Sequence, residues 1–542
     1  MILSISHLNK SIGLKELYKD LSFSINEGQK VALIGRNGLG KTSLFKMIIG
    51  DDSDYQGIIE KRKNTKIILT KQEHSLLDDI SAFDYILNDV PNFRELQAII
   101  GNFEQNPSSD IEQLQIYTDA INHFAQNGYY EIEDKIILSL EAFQIDTNNI
   151  LNPLSTFSGG EKRFVELVRV MYSGSDLALI DEPTNHMDYI GKELFIDWFK
   201  NTKQAVLVVT HDRDVLNYVD AIYELKDKQI VTSNGNYSSY LQQNNSKTIS
   251  SISKYETDLK KMSDLKRKIT EAAKNKAYKS GKIVYDRFVA DYNELKNNLV
   301  KPSFWIDQES LEEVSKQTLN SYHKYKEKNI TIRHNANDEH KKELIKIKNL
   351  SVGYHSPLFS NIDIHLYNYD RIFVKGRNGA GKSTLIKTIV SQILESTSPA
   401  KIYSGEFKFS STMRLGIYEQ EINPIYLTKT LADAVYEVYD SQRIDIDQQK
   451  VAQLLSSYLF NPLVDSKLTL ETLSGGQKAR FQLIKMLSNN PNVLILDEPT
   501  NHLDLPSIEQ LENVLANFTG AILYVTHDNY LIEKLRGKII DL

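Results

Sequence analysis

The chain contains no cysteine, which excludes disulfides, thiolate zinc sites, iron–sulfur clusters and thiol nucleophiles together. Proline and glycine are also scarce: 12 and 25 among 542 residues, beside 41% hydrophobic and 25% charged residues, describe ordered domains rather than a disordered or fibrous chain. No apolar run approaches the about 20 residues of a membrane span, and stretches such as residues 205–209 have the length of buried strands. The start, Met1-Ile-Leu-Ser-Ile-Ser, has no basic leader with a small-residue cleavage site, so a cytoplasmic location is expected. A net charge of −7 argues against a protein that coats nucleic acid with its whole surface. Because single cores stop growing near roughly 250–300 residues, two or three domains are expected.

What is present is a repeat. Gly35-Arg-Asn-Gly-Leu-Gly-Lys-Thr42 returns as Gly376-Arg-Asn-Gly-Ala-Gly-Lys-Ser383, and Ser158-Gly-Gly-Glu161 returns as Ser474-Gly-Gly-Gln477. Asp181-Glu-Pro-Thr-Asn-His186 returns as Asp497-Glu-Pro-Thr-Asn-His502, and Thr210-His-Asp212 as Thr526-His-Asp528. The offset is 316 for the last three pairs and 341 for the first, so the first copy of a duplicated domain carries 25 more residues between its glycine loop and Ser158. The apolar runs 31–34, 178–180 and 206–209, matched by 372–374, 493–496 and 522–525, read as buried parallel strands of an α/β fold. The chain ends 15 residues after His527, so no appended C-terminal domain is expected.

Glycines in the pattern G-x-x-x-x-G-K-[ST] let the backbone curl until successive N–H groups and a helix N-terminus face a polyphosphate. Lys41 and Lys382 would reach the β- and γ-phosphates, and Thr42 and Ser383 would offer a hydroxyl to Mg²⁺. The loops also include Gly38, Gly40, Ser43, Gly379, Gly381 and Thr384, with Arg36, Asn37, Arg377 and Asn378 at the variable places. Asp181 and Asp497, each ending an apolar run, fit a second Mg²⁺ contact, and Glu182 and Glu498 fit the group that orients or deprotonates water. An acidic pair after a strand is alternatively a helix N-cap. His211 and His527 follow the next strand, where a parallel sheet meets its ligand crevice, and could sense a γ-phosphate. Gln72 and Gln420 could hold the water and the metal. Ser158-Gly159-Gly160 and Ser474-Gly475-Gly476 precede Lys- and Arg-bearing helices and offer bare N–H groups to an anion, or else serve as N-caps.

Taken together, these motifs with Asp188 resemble the ATP-binding cassette ATPases over nearly the whole chain. The resemblance implies two tandem P-loop cassettes, two ATP sites with Mg²⁺, and head-to-tail closure within one chain, hence a monomer. Lys41, Thr42, Gln72, Asp181, Glu182 and His211 would share one ATP with Ser474–Gln477; Lys382, Ser383, Gln420, Asp497, Glu498 and His527 would share the other with Ser158–Glu161. A base-stacking aromatic is available at Tyr354, whereas Ser11-Ile12-Gly13 offers only Ile12. Phe157 and Met187 are mild departures from the pattern.

Within that family, the DEPTNHMD and DEPTNHLD segments, the Ser-Gly-Gly-Glu-Lys signature, the insertion and a long charged linker resemble the ABC-F subfamily. Absent cysteine separates the chain from the ribosome-recycling and excision-repair cassettes. The expected domains are a first cassette over 1–240, with an inserted helical arm at about 88–140, a basic helical linker over 241–343 and a second cassette over 344–542. Helical apolar spacing in 93–103 and 111–137, broken at Asn106-Pro-Ser-Ser109, predicts a helical pair in the arm.

Residues 241–343 hold 21 Lys+Arg against 15 Asp+Glu, so positive charge is segregated there, and phosphates are the natural counter-surface. Nine of these bases, from Lys260 to Lys282, crowd 23 positions against Asp264 and Glu271. Tyr255, Leu259, Met262, Leu265 and Ile269, then Phe288, Tyr292, Leu295 and Leu299, then Leu311, Val314, Leu319, Tyr322 and Tyr325 follow helical spacing. The candidate turns are Ser280-Gly281 and residues 301–305, whose Phe304 and Trp305 would stack on nucleotides or seal the helices together. For such a chain the resemblance implies a ribosome partner, with rRNA and P-site tRNA beside the linker, no membrane and no DNA. Protection against ribosome-targeting antibiotics is the expected role; a housekeeping translation factor and a tandem ATPase subunit of a membrane importer are the alternatives.

Overall fold

In the computed structural model the described residues are 1–13, 15–35, 38–70, 80–185, 187–273, 279–298, 342–398, 400–419, 422–458, 460–473, 475–501 and 503–542. They form two compact units, one built from Met1–Thr232 with Ile330–Leu542 and the other from Ser233–Asn329.

The larger unit is α/β and contains the same plan twice. Its first half has a sheet whose strands run in the order Ile67–Leu69, Leu177–Asp181, Ala205–Val209, Lys30–Ile34, Ala221–Lys226, Gln229–Asn234, the first five parallel. Its second half orders Leu415–Tyr418, Val493–Asp497, Ala521–Val525, Arg371–Lys375 and Lys538–Asp541. The central strands are continuous apolar runs because helices and a second sheet cover both faces; Val206, Leu207 and Val208 are wholly buried, as are Ile522, Leu523 and Tyr524. Each half adds an antiparallel three-stranded sheet, Lys15–Ile25, Leu3–Ile12, Gln56–Lys61 in one and Pro357–Tyr367, Glu343–Gly353, Lys401–Phe409 in the other.

Register aligns the chemistry. Asp181 lies opposite Val209, which in turn pairs with Leu33, so Asp181–Glu182, Thr210–His211 and the first glycine loop emerge side by side at the carboxyl ends of three strands. Asp497 opposite Val525 repeats this in the second half. Each loop then opens a helix, Lys41–Ile49 or Lys382–Ile393. Gly40 and Gly381 precede them at φ 93° and 96°, and a Cβ at Gly40 would meet the Tyr18 hydroxyl at 2.6 Å.

The insertion is helical, with Phe93–Gln105 packed against Ile111–Gln126 and Ile132–Ala142 following. The expected stretch 111–137 is not one helix: Gly128, at φ 67°, ends the first segment and admits a short 3₁₀ turn, Tyr129–Glu131. In the smaller unit, helices Tyr237–Ala273 and Lys279–Asn298 pack on one another. Met262, Leu265 and Ile269 are half-buried, as are Phe288, Tyr292 and Leu295, while Lys260, Lys261, Lys266, Arg267 and Lys268 are exposed. Ser280 and Gly281, read as a turn, fall inside the second helix, whereas the 301–305 turn and the apolar positions 311–325 lie outside the described residues.

Candidate active site

The helix N-termini, strand ends and glycine loops converge on two cavities. The first, about 460 Å³, is lined by Gly38, Gly40, Lys41, Thr42, Asp181, Glu182 and His211, and from the second half by Thr500, Asn501 and Leu503. The second, about 450 Å³, holds Tyr354, Asn378, Gly379, Gly381, Lys382, Ser383, Thr384, Glu498 and His527.

In the first, Lys41 Nζ donates to Gly35 O at 2.6 Å and lies 3.4 Å from His211 Nε2, which is 3.3 Å from Glu182 Oε1. Thr42 Oγ1 donates to Asp181 Oδ2 at 2.7 Å. The second repeats the geometry: Lys382 Nζ donates to the Gly376 and Arg377 carbonyls at 2.9 Å, Ser383 Oγ to Asp497 Oδ1 at 3.0 Å, and His527 Nε2 is 3.3 Å from Glu498 Oε1. Glu182 and Glu498 adopt left-handed backbone conformations, φ 46° and 48°, and each donates its N–H to the neighbouring strand, at Val209 O and Val525 O. A non-glycine residue held there against its preference marks a position where direction matters.

Burial dominates the electrostatics. It pushes Glu182 up to about 8, against the pull of Lys41 and with help from Asp181, and pushes Glu498 up to about 7, with help from Asp497. Burial also lowers both lysines, holds His211 well below the usual imidazole range and takes His527 down to about 4, in each case with a lysine adding to the effect on the imidazole. Carboxyls poised near neutrality beside neutral imidazoles can exchange protons with water at working pH. The hydroxyl–carboxylate pairs Thr42–Asp181 and Ser383–Asp497 are all-oxygen donor sets of the kind a hard divalent cation takes, and His211 Nδ1 is a buried atom with no hydrogen-bond partner among the described residues.

Other candidates stand elsewhere. Ser158, Gly159 and Gly160 are exposed and line neither cavity; Ser158 Oγ accepts from Glu161 N–H at 3.3 Å while Glu161 Oε2 accepts from Ser158 N–H at 2.8 Å, so a capping box occupies that helix end. Gly475, Gly476 and Gln477 also line neither; a Cβ at Gly476 would meet Ser507 Oγ at 2.7 Å. Arg377 turns from its loop to Asp188 of the first half, Nε to Oδ2 at 3.1 Å. Ile12 is exposed and outside the first cavity, whereas Tyr354 lines the second. Ser43 sits half-buried in the helix behind the first loop. Arg36, Asn37, Gln72, Gln420 and Ser474 lie outside the described residues.

Three further residues, Arg163, Thr500 and Asn501, contribute to the first site without a motif that gives them that role. Arg163 donates to the carbonyls of Asp181 at 2.9 Å and Glu182 at 2.5 Å, bracing the strand end in the first half; at the 316 offset the second half has Ala479, and that mismatch was the available signal. Thr500 and Asn501 bring the second half to the first cavity from within a motif read only for its acids.

The profile of the family described as ABC transporter matches residues 18–185 and 359–501. A putative ATP-binding protein, YdiF of Bacillus subtilis, is 26% identical over 550 residues, covering 100% of this chain and 80% of its own length. The probable ATP-binding protein YheS of Escherichia coli K12 is 28% identical over 534 residues, covering 96% and 75%. Among solved structures, the archaeal ribosome recycling factor aABCE1, in complex with stalk protein aP1, superposes with TM-score 0.57 at 14% identity, over 99% of this chain and 87% of that one. The RNase-L Inhibitor gives TM-score 0.55 at 14% identity over the same shares. Each matched segment thus spans one glycine loop and the strand-end Asp–Glu pair that faces it: the chain belongs to the ABC transporter family of ATP-binding cassette proteins and is a tandem-cassette ATPase.

Proposed function

We propose that this ATPase is of the ABC-F type and binds the ribosome in an ATP-bound, closed form, with its helical linker beside the P-site tRNA and the peptidyl-transferase centre. Hydrolysis then releases it, so ATP acts as a timer. The role in this reading is protection against ribosome-targeting antibiotics.

In each cassette the lysine, Lys41 or Lys382, holds the β- and γ-phosphates, supported by loop N–H groups and the helix N-terminus. Thr42 with Asp181, and Ser383 with Asp497, would hold Mg²⁺, which when bound would neutralise phosphate charge, and Gln72 and Gln420 would complete this set. Glu182 and Glu498 take a proton from the attacking water, and the neutral histidines, His211 and His527, donate to the γ-phosphate. Ser158–Glu161 and Ser474–Gln477 close on the opposite nucleotide.

The observation that carries the ribosome reading is the linker unit: Lys260, Lys261, Lys266, Arg267 and Lys268 are exposed on a helix whose Met262, Leu265 and Ile269 are half-buried. A cationic surface on an otherwise anionic chain suits a polyphosphate partner. Among the described residues no helix is long and apolar enough to cross a membrane. The test is sedimentation of the Glu182→Gln, Glu498→Gln chain with ribosomes. ATP-dependent pelleting, weakened by added salt, is expected; a chain that stays in the supernatant with ATP refutes the reading. Growth with and without the gene across peptidyl-transferase inhibitors separates protection from a housekeeping role.

A further inference from the structure

The segments that follow the two histidines touch each other, and one buried arginine stands at the centre of the contact. Arg213, two residues after His211 and 6% exposed, places a guanidinium nitrogen 2.9 Å from Oε1 of Glu512, which is 1% exposed. The contact is electrostatic rather than a directed hydrogen bond. Oε2 of the same carboxylate lies 3.3 Å from Lys534 Nζ, so Glu512 is shared between cations of both halves. The Arg213 guanidinium also lies 4.9 Å from the ring centre of Tyr530, three residues after His527. Asn217 donates to the Tyr530 hydroxyl at 2.9 Å, and Asn529 donates to Asp214 at 2.8 Å. Lys192, 7% exposed, anchors Asp212 at 2.9 Å and Asp214 at 2.6 Å.

Arg213 and the segment that leads into Glu512's helix share the first cavity, whereas Tyr530 follows His527, which lines both cavities. Glu512 rides on helix Leu505–Ala516, whose preceding residues Thr500, Asn501 and Leu503 line the first cavity; Tyr530 rides on helix Asn529–Leu535, which follows His527. The first cavity itself reaches His527 and Asp528 as well as His211 and Arg213. The repeat has no mirror copy of the bridge: at the 316 offset Arg213 faces Asn529, Lys192 faces Ile508 and Glu512 faces Ile196. A packed, desolvated contact of this kind moves as a unit, because burying either charge alone is strongly unfavourable.

We propose that Arg213 is a positioning residue that couples nucleotide binding at the two sites, through its bridge to Glu512 and Tyr530. It goes beyond the function proposed above and rests on the lysine assignments made there. A displacement of the His211 loop by nucleotide carries Arg213, and with it the helix Asn529–Leu535 that follows the second histidine.

The full-length Glu182→Gln, Glu498→Gln chain binds ATP without turnover, so affinity at the second site can be measured with the first site competent and with it disabled by Lys41→Ala. A fall from two bound ATP to one reports the lysine assignment, independently of the affinities. In the chain with Arg213 intact, a competent first site is expected to tighten the second by about 5-fold or more, the usual range of coupling between sites. Arg213→Met brings that ratio to about one while the second-site affinity in the Lys41→Ala background stays unchanged, and Arg213→Lys restores much of it. Tyr530→Phe with Asn529→Ala, which leaves all the buried charges in place, lowers the ratio partway and serves if Arg213→Met does not fold. A ratio near one in the chain with Arg213 intact, or one that survives these substitutions, overturns the proposal.

Discussion

Burying Glu182 has a thermodynamic signature that does not depend on catalysis. Its ordinary value is 4.5 and in the fold it is pushed up to about 8. Between those values the unfolded chain releases the proton and the folded chain keeps it, so the stability this group contributes is lost as pH climbs through that window. At about 1.36 kcal/mol for each pH unit, the ceiling is about 5 kcal/mol. Water entry and relaxation reduce such figures, and a measured difference of about 2 kcal/mol is expected. Glu182→Gln keeps the shape and cannot ionise. It should leave stability nearly unchanged at pH 5 and raise it at pH 8. For a cassette-sized unit, where about 1 kcal/mol moves the midpoint by about 2 °C, the gain at pH 8 is about 4 °C. Glu498→Gln, starting from about 7, should gain less. Calorimetric midpoints of nucleotide-free protein at both pH values give the answer, since bound ATP would add its own stabilisation. An equal midpoint change at pH 5 and pH 8, or a loss at pH 8, would refute the burial argument.

Three further outcomes are expected. With both carboxyls replaced, Glu182→Gln plus Glu498→Gln, steady-state ATP turnover falls by about 100-fold or more, and in the native chain kcat/KM rises with pH through about 7 to 8 as the bases lose their protons. Tyr18→Phe removes the hydroxyl bond to the Gly40 carbonyl and costs about 1 kcal/mol in a denaturant titration, with the loop retained because Phe359 fills the equivalent place in the second half. Leu207→Ala, in a central strand with its side chain wholly buried, costs about 2–5 kcal/mol by the same measurement.

The α/β fold was legible because its central strands are apolar runs at a fixed spacing from glycine loops, and because the chain says everything twice. A loop that must wrap phosphate leaves few choices at Gly35, Gly40, Gly376 and Gly381, and local rules of that kind are written in adjacent letters. Contacts between distant segments are not. Arg377 and Asp188 are separated by 189 positions, and nothing in either neighbourhood names the other. Arg163 sits in a helix start that reads as an anion site, yet its guanidinium turns inward to the Asp181 and Glu182 carbonyls. The Gly128 break shows the same limit on a smaller scale: apolar spacing continues through residues 111–137 while one positive φ divides the helix.

The capping box at Ser158 occupies a backbone N–H that the head-to-tail reading would leave bare for a nucleotide. Glu161 leans its carboxylate over the N–H of Ser158, whereas the matching position in the second half is Gln477, whose amide is turned toward Asp465 at 3.4 Å. On the head-to-tail reading, a polyanion arriving at Ser158 would have to displace the Glu161 carboxylate from the N–H it already holds, and one arriving at Gln477 would meet an amide already engaged by the Asp465 carboxylate.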